Sequence, residues 1–151
     1  RDLHSFPTRR SSDLAELVID IPMVAPDPFW YGAQVVVSQP NASQWTVTVA
    51  GNAPARPAVT FSITSAGSGI TFTGPGGVIV LEGDYLSGDV VTVDTARYEA
   101  MLTRGAETEL INDQFSDEYV ADGFELVPGE NALMYQGPAA TVTLTYRPRW
   151  Y

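Results

Sequence analysis

Hydrophobic and polar positions alternate with a period of two through most of this chain, most clearly in its last stretch, Phe124 to Tyr151. Phe124 and Leu126, then Leu133 and Tyr135, are separated by polar or small neighbours. Val142, Leu144 and Tyr146 face one way, and Thr141, Thr143 and Thr145 the other. Alternation of β-branched and aromatic residues at this period predicts two half-buried strands that close a sandwich. Pro128-Gly129 predicts a tight corner before the first of them, because proline presets φ and glycine tolerates positive φ. Gly137-Pro138 predicts the turn between the two. Pro148 has no N–H to give a ladder, so pairing is expected to stop near Arg147.

The same pattern recurs upstream. Leu17–Val24 reads as a first strand, with Pro22 marking an edge or an end. Ala33–Ser38 and Gln44–Ala50 are two more, joined by a polar loop through Pro40 and Asn41. Gly51–Pro57 holds two prolines and suits a crossing between sheets better than a hairpin. Ala58–Thr64 directs Val59, Phe61 and Ile63 inward. Gly69–Thr73 and Val78–Leu81 flank a turn at Gly74–Gly77. Gly83-Asp84 and Ser87–Asp89 read as turns before Val90–Asp94. Tyr98, Ala100 and Leu102 fit a strand ending at the Arg104-Gly105 turn, and Tyr98 and Leu102 also fit one helical turn. At most one short helix is expected near 107–114, over Glu107–Asp113, and Ser116–Gly123 reads as an acidic loop. About ten short strands broken by Gly/Pro turns predict an all-β protein, a β-sandwich of jelly-roll type.

Arg1–Leu14 stands apart from this pattern. It has no apolar periodicity, yet it holds the only histidine, His4, and three of the eight arginines. All fourteen residues match the one-frame translation of a common sequencing adapter. The segment is therefore expected to be an artefactual, disordered tail and is excluded from fold reasoning. That leaves Ala15–Tyr151 as one domain, expected to be the C-terminal part of a longer protein.

Charge narrows the function. The chain has a formal net charge of −10 and no lysine, and excluding the first fourteen residues makes the balance more negative still. Such a surface repels phosphate backbones and anionic membranes, which argues against nucleic-acid binding. No apolar run approaches the roughly 18 residues of a membrane span. With no cysteine, disulfides and thiolate metal sites are excluded.

Candidate chemistry is sparse. Paired carboxylates can hydrolyse a glycosidic bond, but every acid here lies beside a turn or strand end, in no distinctive motif. Without Cys, Lys or a histidine outside the first fourteen residues, the usual nucleophile–base pairs cannot be built. No catalytic residue and no cofactor is assigned. Asp113, Asp117, Glu118 and Asp122 could offer clustered oxygens to Ca²⁺, but without EF-hand spacing a solvated loop is the simpler reading, and no metal site is assigned. Trp30, Tyr31, Trp45, Tyr85, Trp150 and Tyr151 could stack on sugars, although aromatics at strand ends and proline corners more often plug a core or meet a protein partner. Arg147 and Arg149 could pair with acids such as Glu130 between subunits.

Five stretches, in order, carry a resemblance: Asp27-Pro28-Phe29-Trp30-Tyr31; Gly51-Asn52-Ala53-Pro54-Ala55-Arg56-Pro57; Val93-Asp94-Thr95; Phe124-Glu125-Leu126-Val127-Pro128-Gly129-Glu130-Asn131; and Tyr146-Arg147-Pro148-Arg149-Trp150. Together they resemble the C-terminal domain of distal tail proteins of long, flexible-tailed phages, the siphovirus tail-component family. The resemblance implies a structural, non-enzymatic virion protein, made in the bacterial host cytoplasm. Its N-terminal domain would build a hexameric ring joining the tail tube to the tip or baseplate. Its C-terminal domain would be a galectin-like or carbohydrate-module-like β-sandwich projecting outward. Implied partners are other tail proteins, with a host surface glycan as a further candidate. Implied contact residues are Trp30, Tyr31, Arg147, Arg149 and Trp150. Two features depart from the family: no counterpart of the ring-forming domain is present, and Ala96–Asp122 is long and acidic. The rival reading is a carbohydrate-binding module of a secreted or surface protein.

Overall fold

The computed structural model describes residues 27–116 and 123–151, so the expected strand Leu17–Val24 and most of the acidic loop lie outside the described residues. Thirteen strands follow in order: β1 (Trp30–Tyr31), β2 (Val35–Gln39), β3 (Gln44–Val49), β4 (Ala58–Ile63), β5 (Gly67–Gly74), β6 (Gly76–Tyr85), β7 (Val90–Asp94), β8 (Glu99–Arg104), β9 (Glu107–Leu110), β10 (Phe124–Glu125), β11 (Gly129–Gln136), β12 (Ala140–Tyr146) and β13 (Arg149–Trp150). A five-stranded sheet runs β10-β6-β5-β11-β3 and a six-stranded sheet β2-β12-β4-β7-β8-β9, while β1 and β13 form a separate two-stranded ladder. The protein is an all-β sandwich.

Alternation explains the core. On β4, Val59, Phe61 and Ile63 are buried, and on β12 Val142, Leu144 and Tyr146, as strands with one face covered require. The sheets meet through aromatics: Phe61 of β4 packs edge-on to Phe72 of β5 at 5.8 Å and stacks on Tyr135 of β11 at 5.6 Å. Phe72 also contacts Trp45 and Phe124, at 5.7 and 5.1 Å between centroids.

The last two long strands do not pair with each other. β11 lies between β3 and β5, β12 between β2 and β4. The Gly137-Pro138 turn thus crosses from one sheet to the other. Gly137 has φ +147, and a Cβ there would sit 2.6 Å from the Gly69 carbonyl oxygen, so only glycine lets the chain turn so close. Gly51–Pro57 likewise crosses between sheets, as its prolines suggest.

Three local expectations are corrected. Glu107–Asp113 is strand β9 followed by a 3-10 turn, Asn112–Gln114, instead of a helix. The cause is pairing with β8: the Thr103 and Thr108 hydroxyls meet at 3.0 Å, and Asn112 Oδ1 accepts the Ala100 N–H at 2.7 Å. Gly83-Asp84 is no turn but the end of β6, with Ser68 paired to Asp84. Tyr98 precedes β8 in a left-handed turn conformation, φ +57. Edge strand β9 exposes Glu107 and Glu109, charges that discourage pairing with another chain.

Candidate functional site

All five residues singled out from sequence converge at one end of the sandwich. Pairing along β12 ends at Tyr146, as Pro148 predicted, but resumes beyond the proline with a different partner. Trp30 stands opposite Trp150, and Tyr31 opposite Arg149. The ladder is locked to the main body by the 51–53 segment, whose Asn52 and Ala53 N–H groups donate to the Arg149 carbonyl at 3.1 and 3.2 Å. Gly51 is required there: it has φ +103, and a Cβ would lie 2.2 Å from that carbonyl oxygen. Asn52 Oδ1 accepts the Tyr151 N–H at 2.9 Å, and the Gly32 N–H donates to the Pro148 carbonyl at 2.9 Å.

The aromatic corner organises Asp27 and Arg149. Asp27 accepts hydrogen bonds from the Tyr31 hydroxyl and the Phe29 N–H. The Tyr31 hydroxyl, then the Phe29 N–H and the Arg149 charge, hold its carboxyl below the usual range despite some desolvation; the same bond pushes the Tyr31 phenol up. The Arg149 guanidinium lies 3.7 Å from the Phe29 ring centroid and 5.8 Å from that of Tyr31, a cation–π arrangement. Phe29 in turn meets Tyr151 at 5.0 Å. Trp150 is half-buried over Gly32, where a Cβ would come within 3.0 Å of its ring. Trp30 finds no such cover and is 78% exposed.

Beside this cluster opens a cleft of about 680 Å³, whose charged and polar walls include Asp27, Tyr31, Arg56, Asp94, Arg147 and Arg149. Its floor is the outer face of the six-stranded sheet, where Thr145, Ala58 and Asp94 stand side by side on three strands. Arg56 pairs with Glu125 at 2.8 Å, and that bond holds its guanidinium pKa up. Within one chain Glu130 lies on β11 opposite Thr48; its expected pairing with Arg149 is one between subunits.

Other candidates fall elsewhere. Tyr85 is a core residue whose hydroxyl donates to Gln114 Oε1 at 2.9 Å, so it offers no ring face to a ligand, and Trp45 is half-buried against Phe72, away from the cluster. Asp113 is described while Asp117, Glu118 and Asp122 lie outside the described residues; among the described residues no group of three acids or histidines could hold a metal ion. No helix among them is long and apolar enough to cross a membrane. Sequence reading assigned no contact role to Arg56, Asn52 or Asp27. The signal present was their place within the Gly51–Pro57 and Asp27–Tyr31 stretches.

Residues 50–150 match the family described as siphovirus-type tail component, C-terminal domain. The chain belongs to this family. Its fold is similar to that of the SPP1 Dit (gp 19.1) protein, whose crystal structure is described as a paradigm of the hub adsorption apparatus in Gram-positive infecting phages. That similarity has a TM-score of 0.67 and 16% sequence identity, over 83% of this chain. The chain spans 50% of that protein's length. No match is found among curated proteins. The matched span of the tail-component domain takes in Gly51, Asn52, Arg56, Arg147, Arg149 and Trp150, while the Asp27–Tyr31 corner of the site falls before it. This is a phage tail component, and its candidate site gathers aromatic rings and guanidinium groups at one end of the sandwich.

Proposed function

We propose that this domain is the peripheral β-sandwich of a distal tail protein at the tail tip or baseplate of a long-tailed phage, structural and non-catalytic. The observation that carries the reading is the match of residues 50–150 to tail-component C-terminal domains. In this reading residues 15–151 are the C-terminal domain of a longer protein, and residues 1–14 are adapter-derived. The intact protein forms a hexameric ring through its N-terminal domain and contacts the tail tube and tip proteins. It is made in the host cytoplasm and carried in the virion, without nucleic-acid contact or membrane insertion.

The end bearing Trp30, Tyr31, Arg147, Arg149 and Trp150 is then the face turned toward neighbouring tail proteins. Its support is the β1–β13 ladder, which brings both ends of the described chain to this one place, beside exposed aromatic surface. Immunogold labelling of virions with an antibody raised on the domain tests the reading. Gold at the tail tip is expected; gold on the capsid, or on no part of the particle, overturns it. A second reading, binding of a host surface glycan, is favoured by the exposure of Trp30 and Tyr151, 78% and 72%. Binding on a glycan array that disappears in Trp30→Ala would select it.

A further inference from the structure

Five arginines lie among the described residues, in a chain where acids outnumber bases by more than two to one. Three of them have carboxylate partners: Arg56 with Glu125, Arg97 with Asp94 and Arg104 with Asp89. The two without an ion pair among the described residues, Arg147 and Arg149, are two positions apart and line the same cleft. With acids in such excess, chance pairing would leave carboxylates over, not guanidinium groups.

The two acids of the cleft do not fill this gap, because their oxygens already serve internal donors. Asp27 accepts from Tyr31 and Phe29. Asp94 accepts the N–H groups of Ala96 and Arg97 at 3.0 and 3.2 Å and pairs with the Arg97 side chain. Arg149 shows the deficit directly: its Nε is buried and has no hydrogen-bond partner among the described residues. A buried donor left unpaired is costly, and native structures rarely keep one without a reason. Stacking on Phe29 at 3.7 Å fixes the plane of the guanidinium. Fixing that plane sets the edge donors that a carboxylate would engage in a forked pair.

We propose that the Arg147–Arg149 cleft is a carboxylate-binding site that receives an acidic side chain from a neighbouring tail protein. The choice of a protein partner rests on the tail-component reading and on the exposed aromatic surface at the cleft's rim. The carboxylate chemistry does not depend on that reading. Asp27 offsets part of the positive charge, so the site selects by geometry and hydrogen bonding more than by net field.

The test is calorimetric titration of the full chain with a short acetylated polyglutamate peptide, with polyglutamine and oligogalacturonate in parallel. Binding of polyglutamate but not polyglutamine is expected, weakening as salt shortens the Debye length below about 10 Å. Arg147→Gln and Arg149→Gln should each weaken it about tenfold, as loss of a charge-assisted pair does. Arg149→Lys keeps the charge but not the fork and should recover only part of the affinity. Arg147 is exposed, so Arg147→Gln should leave the melting temperature unchanged and keeps the test valid if the Arg149 variants fail to fold. No binding of polyglutamate, or binding indifferent to Arg147, overturns the site. Tighter arginine-dependent binding of oligogalacturonate overturns the protein partner in favour of an acidic sugar. Immunogold labelling separates the two failures: peptide binding with no label at the tail would sink the tail-tip reading and leave the carboxylate site standing.

Discussion

Asn131 offers the sharpest test of how the fold is held near its last strands. It is fully buried on β11, on the same face as Leu133 and Tyr135. Its side chain takes the place of backbone pairing in the Pro128-Gly129 corner: Oδ1 accepts the Val127 N–H at 2.9 Å, and Nδ2 donates to the carbonyls of Val127 at 2.8 Å and Gly129 at 3.1 Å. Asn131→Ala removes all three bonds. Gly129 is exposed, so its carbonyl can turn to water, but the N–H and C=O of half-buried Val127 lose their partner. Two lost bonds at about 1 kcal/mol each, plus the penalty for unsatisfied groups, give about 2–4 kcal/mol. At about 3 °C per kcal/mol for a domain of this size, the melting temperature should fall by about 6–12 °C. Urea unfolding should show a lower midpoint with an unchanged slope. Asn131→Asp keeps the acceptor, loses both donors and aims a charge at two carbonyls. It should be worse than alanine at neutral pH and improve on acidification. A loss below about 0.5 kcal/mol for Asn131→Ala, the range of an inert surface change, would refute the argument and assign the corner to Pro128-Gly129 alone.

Trp30→Ala, which would be costly for a buried ring, should change stability by less than about 0.5 kcal/mol because the ring is solvated; a large fall in melting temperature would show that Trp30 is covered. Asp89 is buried, and the Arg104 hydrogen bonds, then the Leu86 N–H, hold its carboxyl below the usual 3.8. A depressed carboxylate stabilises above its unfolded pKa and loses that contribution as pH falls through the folded one. The melting-temperature gap between wild type and Arg104→Gln should therefore be full at neutral pH and narrow below 3.8; a gap that stays constant would refute the pairing. Burial pushes the phenols of Tyr85 and Tyr135 up to about 12, so their contribution is complete below about pH 10 and is lost as pH rises from there toward 12. Ultraviolet titration of phenolate should show both groups ionising only with unfolding, and early ionisation in the folded protein would contradict their burial.

How much of this was legible in the sequence depended on the range of the signal. Val59-Phe61-Ile63 and Val142-Leu144-Tyr146 announced their inward faces because a period of two is local information. Partner choice was not local. Leu133 and Val142 look like two arms of a hairpin until the close approach of Gly137 to Gly69 shows a crossing between sheets. Glu107–Leu110 has helix-compatible residues, and only pairing with β8 makes it a strand. At the candidate site, Trp30 and Trp150 were readable as exposed or interfacial aromatics, but nothing in their spacing showed that they stand opposite each other. Nor could sequence reveal that Arg149 rests on Phe29, a contact that strand order alone makes between residues far apart along the chain.

The short β1–β13 ladder also has a mechanical meaning. Because Trp30 faces Trp150 and Tyr31 faces Arg149, the outward-leading ends of the two strands lie side by side. Tension applied between residue 27 and Tyr151 peels the pairs apart one after another instead of loading them together in shear. β12, held on both sides by β2 and β4, feels no load until the peeling is complete. Opening the ladder, together with the bonds of Arg149 and Tyr151 to the 51–53 segment, would release the chain before Val35 and after Tyr146, on the order of 40 Å at about 3.4 Å per residue. A domain hung from a tail in flow would then have slack at its joint and a stiff body beyond it.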